Sequence, residues 1–159
     1  TPSWSSAASD VYKRQVYATT LASIDECILP PINQVASMFF NRQVVDKNYG
    51  GLAFEEEGKR CADLLSDPKK HTFIMGNHGI LMFGQNVAET FNRLFYFERA
   101  AKIYVKALQT GKTLSILDDV IAEKTAQELE NEEYPNPAGT AFLREIKLIL
   151  DQEKSDYSQ

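Results

Sequence analysis

Apolar residues follow two rhythms along this chain. Between positions 71 and 83 they form two short, nearly continuous runs, His71-Thr-Phe-Ile-Met75 and Ile80-Leu-Met-Phe83, separated by Gly76-Asn-His-Gly79. Apolar runs of that length, bounded by turn residues, predict two buried strands. From Asn86 to about Thr110 the rhythm becomes helical. Val87, Phe91, Leu94, Ala101, Val105 and Leu108 recur at the spacing of one helix face, and Glu98 falls on that face too. Asn86 with Glu89 makes a capping-box signal at the start, and Gly111 is a stop. A strand, a histidine-bearing turn, a strand and a long helix therefore follow one another directly.

The flanking segments are less periodic but readable. Residues 16–24, Val-Tyr-Ala-Thr-Thr-Leu-Ala-Ser-Ile, predict a short helix whose small side chains suit close packing. Leu29-Pro-Pro31 breaks the chain, and Pro31 is placed to open a helix over 32–40. Val44-Val45 predicts a short strand ending near Asp46, and Asn48-Tyr-Gly-Gly51 a turn. Residues 54–66 predict a helix with Glu55, Glu56 and Glu57 in its first turn, a solvated start that the helix dipole favours. Asp67-Pro68 ends it. Two more helices are predicted over 116–130 and 139–154, with Tyr134-Pro-Asn-Pro137 breaking the chain between them. Strands between helices in the middle, then helices alone, define the fold class as α/β. The expected form is a layered α/β/α domain with a helical C-terminal end.

Composition narrows the function. At 159 residues the chain is long enough for one domain with a real core. A hydrophobic content of 43% and a charged content of 25% are those of an ordinary globular protein. A net charge of -5 without a Lys/Arg cluster argues against a nucleic-acid partner. The longest apolar stretch, 72–83, is too short for a bilayer and is interrupted by Asn77 and His78, so no membrane partner is expected. The first residues lack a secretory pattern. Cys27 and Cys61 form no CxxC pair and read as small apolar residues in a reducing cytoplasm.

The first fifteen residues stand apart. They show no periodicity, hold the chain's only tryptophan, and from Ser5 to Gln15 resemble the in-frame translation of a sequencing adapter. The competing reading is a natural polar arm. On the adapter reading, residues 1–15 are a non-native or disordered arm, and 16–159 are a partial domain that lacks its N-terminal part.

His78 is the candidate functional residue. A histidine fixed between two buried strands is held rigidly, as a metal ligand must be. Alone it would read as a hydrogen-bonded turn residue. Its context changes that. Val16-Tyr-Ala-Thr-Thr-Leu-Ala, then Pro30-Pro31, Tyr49-Gly-Gly51 and Gly76-Asn-His-Gly79, then Val87-Ala-Glu-Thr-Phe-Asn-Arg-Leu-Phe-Tyr-Phe-Glu-Arg-Ala-Ala101, occur in the order and spacing of the class II aldolase/adducin family. The chain resembles that family from Val16 to about Leu108.

The resemblance implies a divalent metal, zinc first, held by three histidines and assisted by a carboxylate acid/base. It implies cleavage or formation of a carbon–carbon bond in a small, often phosphorylated, hydroxy-carbonyl substrate. A metal on the carbonyl or enediolate oxygen stabilises the charge that develops as the neighbouring bond breaks. The resemblance also implies a cytoplasmic homo-oligomer, a tetramer by family pattern. Of the three metal ligands only His78 carries over. Tyr12 and Arg14 stand where the family's His-x-His pair belongs. A guanidinium has no lone pair to give a metal, and a phenol must first lose a proton with a pKa near ~10. The family's carboxylate lies upstream of anything matched here, so the chain as it stands is expected to be inactive. A non-catalytic, adducin-like scaffold and a sugar-phosphate epimerase are the alternatives within the family. A generic small α/β binding module is the alternative outside it.

The remaining candidates have plainer readings. His71, beside Lys69-Lys70, reads as a surface residue. Glu98 reads as a buried carboxylate satisfied by a neighbouring backbone or an arginine, or as a group reaching towards the site. Tyr17 is balanced between pocket lining and packing, and Asn77 reads as shaping the turn through its side chain. Phe91, Phe95, Tyr96 and Phe97 are more apolar surface than one helix face needs, which suggests burial on two sides, as in an oligomer.

Overall fold

The computed structural model describes residues 15–50, 55–131 and 139–153. It has a mixed α/β fold. Strands β1 (Gln43–Asp46), β2 (Thr72–Met75) and β3 (Gly79–Met82) form one sheet in that order, β1 parallel to β2 and β2 antiparallel to β3. The parallel pair needs a crossover, which α3 (Glu55–Leu64) provides. β2 lies between the other two and is buried on both faces. That is why Thr72-Phe-Ile-Met75 reads as a continuous run and does not alternate.

The helices gather on α4 (Val87–Gln109). Helix α1 (Val16–Ala22) packs on α4 and on β3, α2 (Gln34–Ser37) packs on α4 and on α5 (Asp119–Asn131), and α6 (Thr140–Gln152) packs on α4. Leu21, Phe39, Ile74 and Phe97 are fully buried between these layers. The Phe39 and Phe97 rings meet edge-on at 5.0 Å.

Several boundaries differ from the sequence expectation, each for a local reason. Helix α2 is shorter than 32–40. Asn33, not Pro31, starts it, by accepting the Ala36 N–H on Oδ1 at 2.9 Å. After Ser37 the backbone tightens to three-residue bonds (Phe39 N–H to Ala36 O, 3.1 Å), and Asn41 at φ 55 stops the turn. Helix α5 begins at Asp119 and not at 116. Asp118 Oδ1 accepts the Val120 N–H at 2.9 Å, while the Leu117 N–H is taken by Pro31 O at 3.0 Å. Helix α1 ends at Ala22, with the Ile24 N–H closing back on Leu21 O at 3.2 Å. Phe54, Lys154 and the break at 134–137 lie outside the described residues, as do the side chains of residues 55–57.

The buried stripe of α4 is also rotated from the expected one. Thr90, Leu94, Phe97, Ala100, Ala101 and Tyr104 are buried, whereas Val87 and Leu108 are exposed. Small residues decide this: Ala100 and Ala101 on α4 allow close approach of a helix whose own buried side chains are Ala18, Leu21 and Ala22. The caps follow the sequence signal. Asn86 Oδ1 accepts the Glu89 N–H at 2.9 Å, and Glu89 returns a carboxylate to the Gln85 N–H at 2.6 Å. Neither Cys27, which is buried, nor Cys61 forms a disulfide. Among the described residues no helix is long and apolar enough to cross a membrane.

Candidate functional site

The bend that carries His78 is tied to three elements. Met75 and Gly79 pair as the last residues of β2 and the first of β3, leaving three residues to reverse the chain. The His78 N–H closes on Met75 O at 3.0 Å. The Gly76 N–H donates to Asp46 O at the end of β1, and the Asn77 N–H to Ala22 O at the end of α1, each at 2.8 Å. Asn77 therefore contributes through its backbone, and its φ of 58 is a left-handed conformation that asparagine tolerates. Gly79 has a φ of 147, which side-chain-bearing residues rarely adopt. At Gly76 a Cβ would lie 3.1 Å from Lys47 Cα, so any larger residue there would press on the backbone just past β1.

His78 is half-buried, and its ring lies against the ring of Tyr49, with centroids 5.1 Å apart and planes tilted by 54°. Tyr49 sits in the turn predicted over 48–51, but nothing in the local sequence points to this contact.

Glu98 is committed to α1. Its two oxygens accept the Tyr17 N–H at 3.0 Å and the Ala18 N–H at 2.8 Å. Gln15 supplies no side-chain cap, so a carboxylate from the distant α4 takes that place. The backbone reading of Glu98 is the one the structure supports. Tyr17 is a packing residue, half-buried against the core, with the Lys102 ammonium 5.5 Å from its ring centre.

His71 is not a surface residue; it is 7% exposed. It precedes the strand that is buried on both faces, and it faces partners remote in sequence. Its Nδ1 is 3.1 Å from Thr72 Oγ1 and its Nε2 is 3.7 Å from Glu130 Oε1. Burial pushes its pKa below the ordinary value, partly offset by Glu130, with Arg93 and Arg42 adding to the depression. Beside it the buried Arg42 donates to Glu130 from Nε at 3.0 Å and from Nη2 at 2.8 Å, and to Glu123 from Nη1 at 2.5 Å. Burial works to raise the Glu130 carboxyl, but the His71 ring and the Arg42 fork win and hold it at about 2. Sequence reasoning missed this cluster, because no local pattern links Arg42, His71 and Glu130.

The two histidines cannot share an ion. They stand at opposite ends of β2, and four strand residues at ~3.3 Å each put their backbones at least ~13 Å apart. Among the described residues no three His, Cys, Asp or Glu side chains come together as a metal group. Tyr12 and Arg14 lie outside the described residues.

The aromatic surplus of α4 has an account within one chain. Phe97 is buried, while Phe91, Phe95 and Tyr96 surround Phe142 of α6 with ring centroids at 6.0, 5.0 and 6.2 Å. Helix α6 thus covers part of the second face, although Phe95 stays 41% exposed.

A small sheet with helices packed on it carries a histidine bend between paired strands. A model of the class II aldolase and adducin N-terminal domain matches residues 7–105, and the chain belongs to that family. The match begins inside the stretch that resembles an adapter and ends within α4. An aldolase II superfamily protein from Pseudomonas syringae superposes with a TM-score of 0.75 at 21% identity, over 91% of this chain and 56% of that one. The L-fuculose 1-phosphate aldolase from Glaciozyma antarctica PI12 gives 0.69 at 18% identity, over 88% and 51%. Another L-fuculose 1-phosphate aldolase gives 0.57 at 28% identity, over 72% and 52%. The chain spans about half the length of these solved relatives. No curated protein sequence matches it.

Proposed function

We propose that the whole protein is a divalent-metal-dependent lyase that breaks or makes a carbon–carbon bond beside the carbonyl of a small hydroxy-carbonyl compound, with sugar phosphates as the first class to try. Family membership and the L-fuculose 1-phosphate aldolases among its relatives support this reading. The observation that carries it is the His78 bend, fixed by backbone bonds to β1, α1 and β2 inside the segment the family model matches. In this reading His78 is one metal ligand, and zinc is the ion that best suits imidazole.

The residues of this chain do not by themselves fit such a metal. It has two histidines, and the other, His71, lies beside Glu130 at the far end of β2. Tyr12 and Arg14 offer no ready donor in place of a histidine pair. We therefore read residues 16–159 as part of the domain and the chain alone as inactive. The whole protein is taken as a cytoplasmic homo-oligomer, a tetramer by family resemblance.

Tyr12 and Arg14 also support a second reading, a non-catalytic, adducin-like scaffold. The deciding experiment uses the protein expressed from its own complete gene, incubated with zinc and L-fuculose 1-phosphate and followed by proton NMR. Release of an aldehyde is the expected result. Appearance of an epimer with the carbon chain intact would assign the epimerase alternative. A protein that holds no zinc and leaves the whole sugar-phosphate panel untouched would overturn the lyase reading in favour of the scaffold.

A further inference from the structure

The end of the sheet farthest from His78 holds a second organised group of side chains, and it decides how α5 is attached. Helix α5 offers little apolar area to the body: its fully buried side chains are Ala122 and Ala126, while Val120 and Ile121 are exposed. Two methyl groups and a half-buried Leu129 bury little surface to hold a helix of this length at ~25 cal/mol per Å². What α5 does offer is Glu123 and Glu130, two turns apart on one face. Both reach Arg42, which is 1% exposed. The Arg42 fork is taken up by these carboxylates and by Phe40 O at 2.9 Å.

His71 stands against this fork. Glu130 of α5 faces it at 3.7 Å, the Thr72 hydroxyl at 3.1 Å and the edge of the Phe39 ring at a centroid distance of 6.0 Å. From the segment before β1 it sees the Arg42 charge, and from α4 it sees Arg93. Arg93 is paired to Glu89 at 2.6 Å and bonded to Phe83 O. A cavity of about 60 Å³ lies between α2, α4 and α5, lined by Met38, Phe39, His71, Arg93, Leu129 and Glu130 among others.

We propose that α5 is a proton-sensitive latch, closed over this cavity by Arg42 while His71 is neutral and released when His71 is protonated. Both Glu130 oxygens already accept from Arg42, and the His71 ring stands 3.7 Å from one of them, so an imidazolium at residue 71 would compete with the Arg42 fork for Glu130. It would also add a third cation beside Arg42 and Arg93 at a ring that is only 7% exposed. Lifting α5 wets the ring and removes that cost. Proton uptake at His71 and release of α5 are therefore linked, each favouring the other. Burial is the main cause of the depressed His71 pKa, and α5 supplies part of it, since Leu129 and Glu130 line the same cavity. Opening would bare Met38, Phe39 and Leu129. This latch is independent of what the His78 end does.

Hydrogen exchange of the full chain, read by mass spectrometry at pH 7.5 and pH 5.5 and corrected for the intrinsic rate, tests it. Protection of the α5 peptides should fall at least about tenfold at the lower pH while peptides from 94–104 of α4 keep theirs. That corresponds to about 1.4 kcal/mol. His71→Gln should keep α5 protected at both pH values, and Glu130→Gln should loosen it at both. A pH effect that survives His71→Gln, or α5 protection that does not change in the unaltered chain, would overturn the latch. NMR titration of the unaltered chain guards against a variant that fails to fold: α5 amide shifts must move with the His71 ring, and a ring that titrates without them refutes the proposal.

Discussion

Gly79 shows how much a single residue contributes to the candidate site. Its φ of 147 is one that residues with side chains rarely adopt, and the residue immediately before it is the histidine we propose as a metal ligand. Gly79→Ala is expected to cost about 1–3 kcal/mol, read as a lower urea midpoint, because the bend must either strain or move. An unchanged midpoint would mean the bend is not held as described. His78 itself was legible in the sequence: two apolar runs around Asn-His-Gly announced a hairpin, and the hairpin formed. His71 was not legible. The neighbouring lysines suggested solvent, whereas the actual neighbours, Arg42 and Glu130, come from other elements. Side-chain ion pairs between distant segments leave no mark on local periodicity.

At the scale of elements, the caps of α4 held, while the expected starts of α2 and α5 did not. The Asn86–Glu89 cap and the stop before Gly111 are written in adjacent residues, and α4 begins and ends where they stand. Pro31 lost to Asn33 at the start of α2, and Asp118 delayed α5, because a side-chain acceptor for a helical N–H outweighs a favourable φ. The start of α1 depends on Glu98, eighty positions on, which no window of sequence contains. Replacing Glu98 by alanine removes two charge-assisted bonds and should cost about 1.5–3 kcal/mol, with faster amide exchange at Tyr17 and Ala18. Glutamine retains one acceptor and should restore part of the loss. If those two amides exchange no faster in Glu98→Ala, α1 is held by packing alone.

For the whole molecule, acid should weaken the fold in two steps. His71 has a folded pKa below its ordinary 6.5, so the unfolded chain takes up that proton first. The stability this represents is complete above pH 6.5 and is lost as the pH falls below it, at no more than ~1.4 kcal/mol per pH unit. Glu130, at about 2 when folded against an ordinary 4.5, contributes in the same direction lower down: its share is present above 4.5 and disappears towards 2. Urea midpoints at pH 7.5, 6 and 5 should fall in that order. A midpoint that rises on acidification would show that His71 gains from its proton in the folded state.

The α/β class and its order of elements could be read from the sequence, as could the family. The ion cluster under α5 and the cover that α6 gives to the α4 aromatics could not. Whether the histidine bend belongs to a metal centre is settled by zinc titration of three purified proteins: this chain unaltered, the protein expressed from its own complete gene, and that complete protein with His78→Ala. The account predicts no stoichiometric zinc on the first, a single site on the second, and loss of that site on the third. A tightly held zinc on the unaltered chain, or a site in the complete protein that survives His78→Ala, would contradict it.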